Sequence, residues 1–346
     1  MNNTFSTPSD SFEPTLLPPS ADPAQARRDF SRIGLAYAIL TLSLQALATG
    51  INYLAYFFAP WILSSWWWTW VISLLPLYGM ALPLMWLLLR RIPAAPHNSD
   101  YFRYGATVDK PVFHGGHWVL LLIMGFGFMH GGGILGNIIM AILSEVLDYD
   151  YANALNTIVE QSPLWATFLG TCICAPLGEE LLFRKLLIDR TRRYGDLPSI
   201  LLSGLLFGLF HGNLFQFFYA TAVGMLLAYV YTRTGKYSLC VAMHAAFNFM
   251  GSIVTSQLVG LLPEDLISFE NLIQPLVYLL LMVWQYGMLI AGIVLFCVLL
   301  SRRKLSRGSD PLYRENAASL MLGNVGMILC LVIMGLVMAI NLWPMA

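Results

Sequence analysis

The chain has 346 residues, 58% hydrophobic and only 11% charged, and its mean hydropathy of +0.66 excludes an ordinary soluble domain. Lysine plus arginine and aspartate plus glutamate balance at 19 each, so nothing suggests a nucleic acid or other polyanion as a partner. The five cysteines, Cys172, Cys174, Cys240, Cys297 and Cys330, all lie in apolar runs and read as buried thiols rather than a disulfide set.

Residues 1–30 are polar and rich in Pro, Ser, Asn and Asp, the composition of a disordered tail. No apolar core follows a basic start there, so the segment does not read as a cleavable signal peptide. Nine apolar runs follow, at roughly 33–60, 66–89, 118–143, 164–188, 198–212, 213–232, 237–262, 272–300 and 318–343. The expected fold is therefore all-α, a polytopic transmembrane helix bundle of about nine spans. Residues 31–163 hold spans 1–3, residues 164–262 a central core, and residues 263–346 spans 8–9. The fifth and sixth spans are joined by His211-Gly212-Asn213, and the fifth is short.

The basic residues occur in groups at 27–32, 90–110, 184–193, 233–236 and 302–314. With nine alternating spans every group falls on or beside one side, which the positive-inside rule makes cytoplasmic, together with the N-terminus. The opposite loops carry Glu145, Asp148, Asp150, Glu160, Glu264, Asp265 and Glu270 with no Lys or Arg. Trp66, Trp67, Trp68 and Trp70 then lie at the outer interface, where indoles settle. In the third span, Gly127/Gly131 and Gly132/Gly136 have the small-x-x-x-small spacing of closely approaching helices. His130 among them reads as part of a packing face, with a catalytic role as the alternative.

Three short motifs carry chemistry: Glu179-Glu180-x-x-x-Arg184, Phe207-x-x-x-His211 and His244-x-x-x-Asn248. Each contains an i, i+4 pair on one helix face. Charged groups inside a membrane are costly and are kept for function or for pairing. At 1.5 Å per residue from the basic ends, Glu179 is about 16 Å deep, His211 about 20 Å, His244 about 10 Å and Asn248 about 16 Å. The implied site lies between the cytoplasmic surface and the midplane, opens to the cytoplasm, and must line a cavity that admits water. There a carboxylate can act as general base, a histidine can orient or deprotonate water, and a second histidine with an asparagine can donate to an oxyanion. These are the parts of a peptide hydrolase that uses water directly. An intramembrane polar network that merely holds helices together accounts for any one of the motifs alone.

In this order the three motifs resemble the CPBP family of intramembrane proteases, which includes the type II CAAX prenyl endopeptidases and bacteriocin-processing or immunity relatives. The resemblance covers residues 164–262 and implies an all-helical bundle with a cytoplasm-facing site. It implies Glu179 as the carboxylate that activates water, His211 as the histidine assisting it, and His244 and Asn248 as the oxyanion pair. Glu180 and Arg184 complete the first motif, and their spacing suits a structural ion pair; Phe207 is expected to pack beneath His211. Family substrates include prenylated CAAX proteins, so the expected partners are the lipid bilayer and a membrane-associated protein or peptide.

Other chemistries fit less well. H-E-x-x-H is absent, Ser203-Gly204 lacks the preceding glycine of a serine nucleophile, and Asp189 and Asp196 share one loop rather than two spans. Glu179, His211 and His244 could supply three zinc ligands, with water as the fourth. No second-shell carboxylate is evident for either histidine, and Asn248 suits hydrogen bonding better than metal binding, so a site with no required cofactor is favoured and zinc is the alternative. A transporter would bury charge at the same depth, but no paired broken segments are found. A non-catalytic immunity or assembly factor that keeps these motifs is the second function class.

Overall fold

The computed structural model describes residues 21–95, 115–151, 153–263, 272–300, 305–313 and 315–342. Residues 1–20 of the expected tail, the basic positions 103, 110, 302, 303, 304 and 314, and the acidic positions 264, 265 and 270 lie outside the described residues. Among the described residues all regular structure is helical.

The first helix, α1, is Pro23–Phe58, so it begins inside the stretch expected to be tail. The cause is local. The Asp22 side chain accepts from the Ala24 N–H as an N-cap, Pro23 presets the first turn, and Ala26 and Phe30 are buried. The next helices are α2, Trp66–Leu89; α3, Gly115–Leu147; the short α4, Ala154–Gln161; and α5, Leu164–Tyr194. They are followed by α6, Asp196–Phe210; α7, Leu214–Thr234; α8, Tyr237–Val259; α9, Ile273–Leu299; the short α10, Ala317–Met321; and α11, Val325–Asn341. Eight of the nine expected apolar runs each fall mainly on one helix, and the ninth, 318–343, is divided between α10 and α11 by a break at 322–324. Seven of these helices are long and apolar enough to cross a membrane; α6 and α11 are apolar but shorter. The protein is thus an integral membrane protein with an all-helical fold.

Helix α5 is central and packs on α2, α6, α7 and α8. Around it, α6 and α7 form a hairpin, α7 lies along α3, α3 along α9, and α1 along α2 and α11. The glycine spacings of α3 serve two faces. A Cβ at Gly132 or Gly136 would collide with the α7 backbone at Tyr219 or Leu214, and one at Gly127 with Gly292 of α9. His130 lies beside Trp284 of α9, lining a second cavity of about 620 Å³ away from the three motifs, so it takes the packing reading. None of the five cysteines is in a disulfide; Cys172, Cys240 and Cys330 are buried, whereas Cys297 on α9 is exposed, contrary to expectation, because α9 is a peripheral helix.

The basic groups meet at one end of the bundle. Arg190 Nε donates to the Leu89 carbonyl at 2.8 Å, Arg192 Nη2 to that of Thr232 at 2.9 Å, and Arg27 Nη1 to that of Gly323 at 2.8 Å. Arg193 pairs with Asp310 at 2.8 Å, and the Tyr194 hydroxyl donates to Asp29 at 2.7 Å. The ends of α2, α5 and α7 and the starts of α1 and α11 are therefore tied together there.

Candidate active site

The segment that carries Glu179 is an interrupted helix. Pro176 has no N–H to give, and wider turns with i→i+5 bonding run over Phe168–Cys174 and Leu181–Ile188. Such turns leave main-chain carbonyls to be satisfied from outside, which inside a membrane is obligatory. Five side chains from four other helices do so. Asn248 Nδ2 donates to Thr171 O at 2.7 Å, Tyr78 to Cys174 O at 2.6 Å, and Tyr237 to Leu177 O at 2.6 Å. Tyr37 donates to Leu182 O at 2.8 Å and Ser203 to Phe183 O at 3.0 Å. Glu179 and Glu180 are thereby held within a clamped stretch of backbone.

The two glutamates part company at once. Glu180 and Arg184 are fully buried and paired, with Nε to Oε2 at 2.8 Å; Arg184 Nη1 also donates to Ser203 Oγ at 2.6 Å. Glu180 Oε1 accepts in addition from His244 Nδ1 at 2.9 Å. With Nδ1 so engaged, Nε2 is the free nitrogen of His244, and it stands 3.8 Å from Glu179 Oε2. The Glu179 side chain keeps 15% of its surface exposed, at a cavity. Phe207 packs edge-on against both histidines, with ring centroids 4.9 Å from His211 and 5.6 Å from His244, and its ring lies 5.0 Å from the Arg184 guanidinium. His211 caps α6, and its Nδ1 bonds the Phe207 carbonyl at 2.8 Å. A carbonyl only accepts, so that nitrogen carries the hydrogen and Nε2 is left as the accepting nitrogen.

Glu179, His211, His244, Asn248 and Phe207 all line one cavity of about 320 Å³. Glu180 and Arg184 lie behind it. The motifs spaced over 70 residues of sequence are brought together because α6 is short: its end, at His211, comes level with the middle of α5. The sequence reading missed Gln216 and Tyr219, which line the same cavity. Asn213 Nδ2 donates to Gln216 Oε1 at 2.7 Å, and Gln216 Nε2 donates to the Tyr219 hydroxyl at 2.8 Å. The available signal was Asn213 itself, whose side chain caps α7 by accepting from the Gln216 N–H.

Two expectations need correction. Glu180 is a carboxylate partner of His244, where none was evident from sequence, because the contact joins residues 64 apart. Glu179 was also expected about 16 Å from the basic end of its helix; α5 runs on to Tyr194, so Glu179 stands 15 residues from either end of it, about 22 Å along the axis.

Among the described residues, no three His, Cys, Asp or Glu side chains gather closely enough to hold a metal ion. Glu179, His211 and His244 are the side chains on which zinc would draw. Ser203 is fully buried against Arg184, which denies it a nucleophile's access. Asp189 and Asp196 are buried at the basic end, bonding Tyr231 and the Ser306 N–H respectively.

No curated protein and no solved structure matches the chain. A family model does match: that of the Rce1-like type II CAAX prenyl endopeptidases, over residues 161–250. The matched segment begins just before α5, contains all three motifs and ends just after Asn248. Residues 161–250 of this membrane protein thus carry the pattern of the Rce1-like type II CAAX prenyl endopeptidases.

Proposed function

We propose that the protein is an intramembrane endopeptidase that hydrolyses peptide bonds of membrane-associated proteins with a glutamate-activated water. The observation that carries this reading is the division between adjacent carboxylates: Glu180 is sealed and paired, and Glu179 faces the cavity beside His244. A structural network would pair both.

In this reading a water lies between Glu179 and the accepting Nε2 of His211. Glu179 takes its proton as the oxygen attacks the carbonyl carbon of the peptide. The resulting oxyanion receives hydrogen bonds from His244 Nε2–H and from the second Nδ2 hydrogen of Asn248, whose first is given to Thr171 O. Donation from Nε2 while Nδ1 donates to Glu180 requires His244 as the imidazolium, and with Glu179, Glu180 and Arg184 the four charges then cancel. Collapse breaks the C–N bond, and the proton held by Glu179 passes to the leaving amine. The direct products are one carboxylic acid and one amine, which become carboxylate and ammonium when the acid's proton passes to the amine, and no oxidant or cofactor is consumed.

The substrate class that the family suggests is a membrane-associated, prenylated CAAX-type protein. Trapping tests the reading. Purified Glu179→Gln protein should retain an uncleaved protein that wild type does not, and wild type should release it as two fragments. Metal analysis belongs to the same preparation. Activity should persist after metal removal; near-stoichiometric zinc whose loss stops cleavage and whose return restores it would replace this mechanism. If the Glu179→Gln protein fully supports cellular function, the non-catalytic reading takes its place.

A further inference from the structure

We infer that the second cavity, between α3, α8 and α9, is a binding site for an uncharged lipid that carries a free hydroxyl. The inference does not depend on the protease reading.

Packing accounts for the ring of His130 but not for its nitrogen. The ring stands edge-on to the indole of Trp284, with centroids 6.2 Å apart. His130 Nε2 and Trp284 Nε1 are nonetheless both buried with no hydrogen-bond partner in the protein. His130 is near the middle of α3, Gly115–Leu147, and Trp284 near the middle of α9, Ile273–Leu299. Both therefore lie deep in the membrane, where an unmet polar group is most costly. Two such atoms on neighbouring rings that line one cavity mark a place where a ligand completes the bonding. A modest turn of either ring about χ2, a soft torsion, aims its nitrogen into the space.

The space is built into the helix. At about 620 Å³ the cavity has the size that small ligands occupy. A Cβ at Gly132 or Gly136 would strike α7, but one at Gly133 would meet nothing within 4 Å. Gly133 thus has no helix contact to explain it, and it lines the cavity instead. Met129 lines this cavity and that of Glu179, and the other lining residues of the two differ. The second site is therefore a neighbour of the first and separate from it.

The lining selects the chemical class. Among the described residues it holds no Asp, Glu, Lys or Arg, so nothing there neutralises a charged head group. Asn137, Thr255 and Gln285 add neutral polar groups from all three helices. An indole N–H only donates, and an imidazole Nε2 accepts or donates according to its tautomer. A hydroxyl satisfies both in either case, because it has one hydrogen to donate and two lone pairs to accept with. The rest of the wall is largely apolar and suits a hydrocarbon body. Helix α9 packs along α3 and touches α8 mainly at Ser256–Val259, so such a molecule reaches the cavity from the bilayer.

Photolabelling of the full-length protein in detergent tests this, with hexadecanol carrying a diazirine and an alkyne as the probe. Adducts should map to residues 129–137, 255–263 and 278–285, the stretches that line the cavity. Excess unlabelled hexadecanol should suppress them, whereas hexadecane and palmitate should not. Trp284→Phe keeps an aromatic ring and removes the donor, so it should weaken hexadecanol competition by about tenfold, the upper end of what one hydrogen bond is worth. Gly133→Phe should fill the space and abolish the adducts while the melting temperature holds. Equal competition by hexadecane would reduce the site to an apolar crevice and overturn the inference. Stronger competition by palmitate would overturn the uncharged class. Adducts that do not saturate or that map elsewhere in wild type would overturn the site itself, whatever the variants do.

Discussion

Glu179 and Glu180 point about 100° apart on their helix, and their surroundings differ accordingly: 15% of one side chain is exposed at the cavity, while the other is sealed between Arg184 and His244. Glu179→Gln should lower cleavage by roughly 10²–10⁴-fold, the range of general-base catalysis, with thermal stability in detergent unchanged. Glu180→Gln should instead lower yield and melting temperature, because it strands a buried guanidinium at a cost of about 3–5 kcal/mol. Equal stability and equal residual activity in the two variants would refute this division. The pair Glu180–Arg184 was legible from its i, i+4 spacing. The Glu180–His244 bond was not, since no local pattern announces a contact between α5 and α8. Gln216 and Tyr219 were missed for a related reason: a glutamine and a tyrosine near a helix start look like ordinary packing until the fold aims them at a cavity.

At the scale of the element, α5 owes its shape to the partners of its carbonyls. Tyr78→Phe and Tyr237→Phe each remove one donor, from Cys174 O and Leu177 O. Each should cost about 1 kcal/mol, and the double variant should lose at least the sum and lower activity as well, because Glu179 lies on the next turn. Melting of the single and double variants in detergent measures this; a double variant as stable as wild type would mean the clamps do not hold the helix. The helices themselves were legible because apolar runs bounded by charge and glycine are unambiguous. The wide turns of α5 were not, since they follow from Pro176 and from neighbours that accept or donate across the bundle. The length of α6 was visible, but its consequence, a histidine brought to mid-depth beside a glutamate of another helix, needed the packing.

For the whole molecule, the sequence sorted positive charge to one side, and the described basic groups do meet at one end through Arg27, Arg190, Arg192 and Arg193. A reporter fused after the last residue should therefore report an extracytoplasmic C-terminus; a cytoplasmic signal would mean that α6 and α7 do not count as two crossings. Charge sorting says which end is which, but not where a cavity opens, because that depends on where short helices stop. Hydrolysis by Glu179 is the function proposed for the whole molecule. It is tested most directly by mapping protein termini in membranes from cells that carry either wild type or Glu179→Gln at equal abundance. The account predicts a set of new termini on membrane-associated proteins present only with wild type, with the matching uncleaved proteins accumulating in the variant. Identical termini in the two membranes would contradict it.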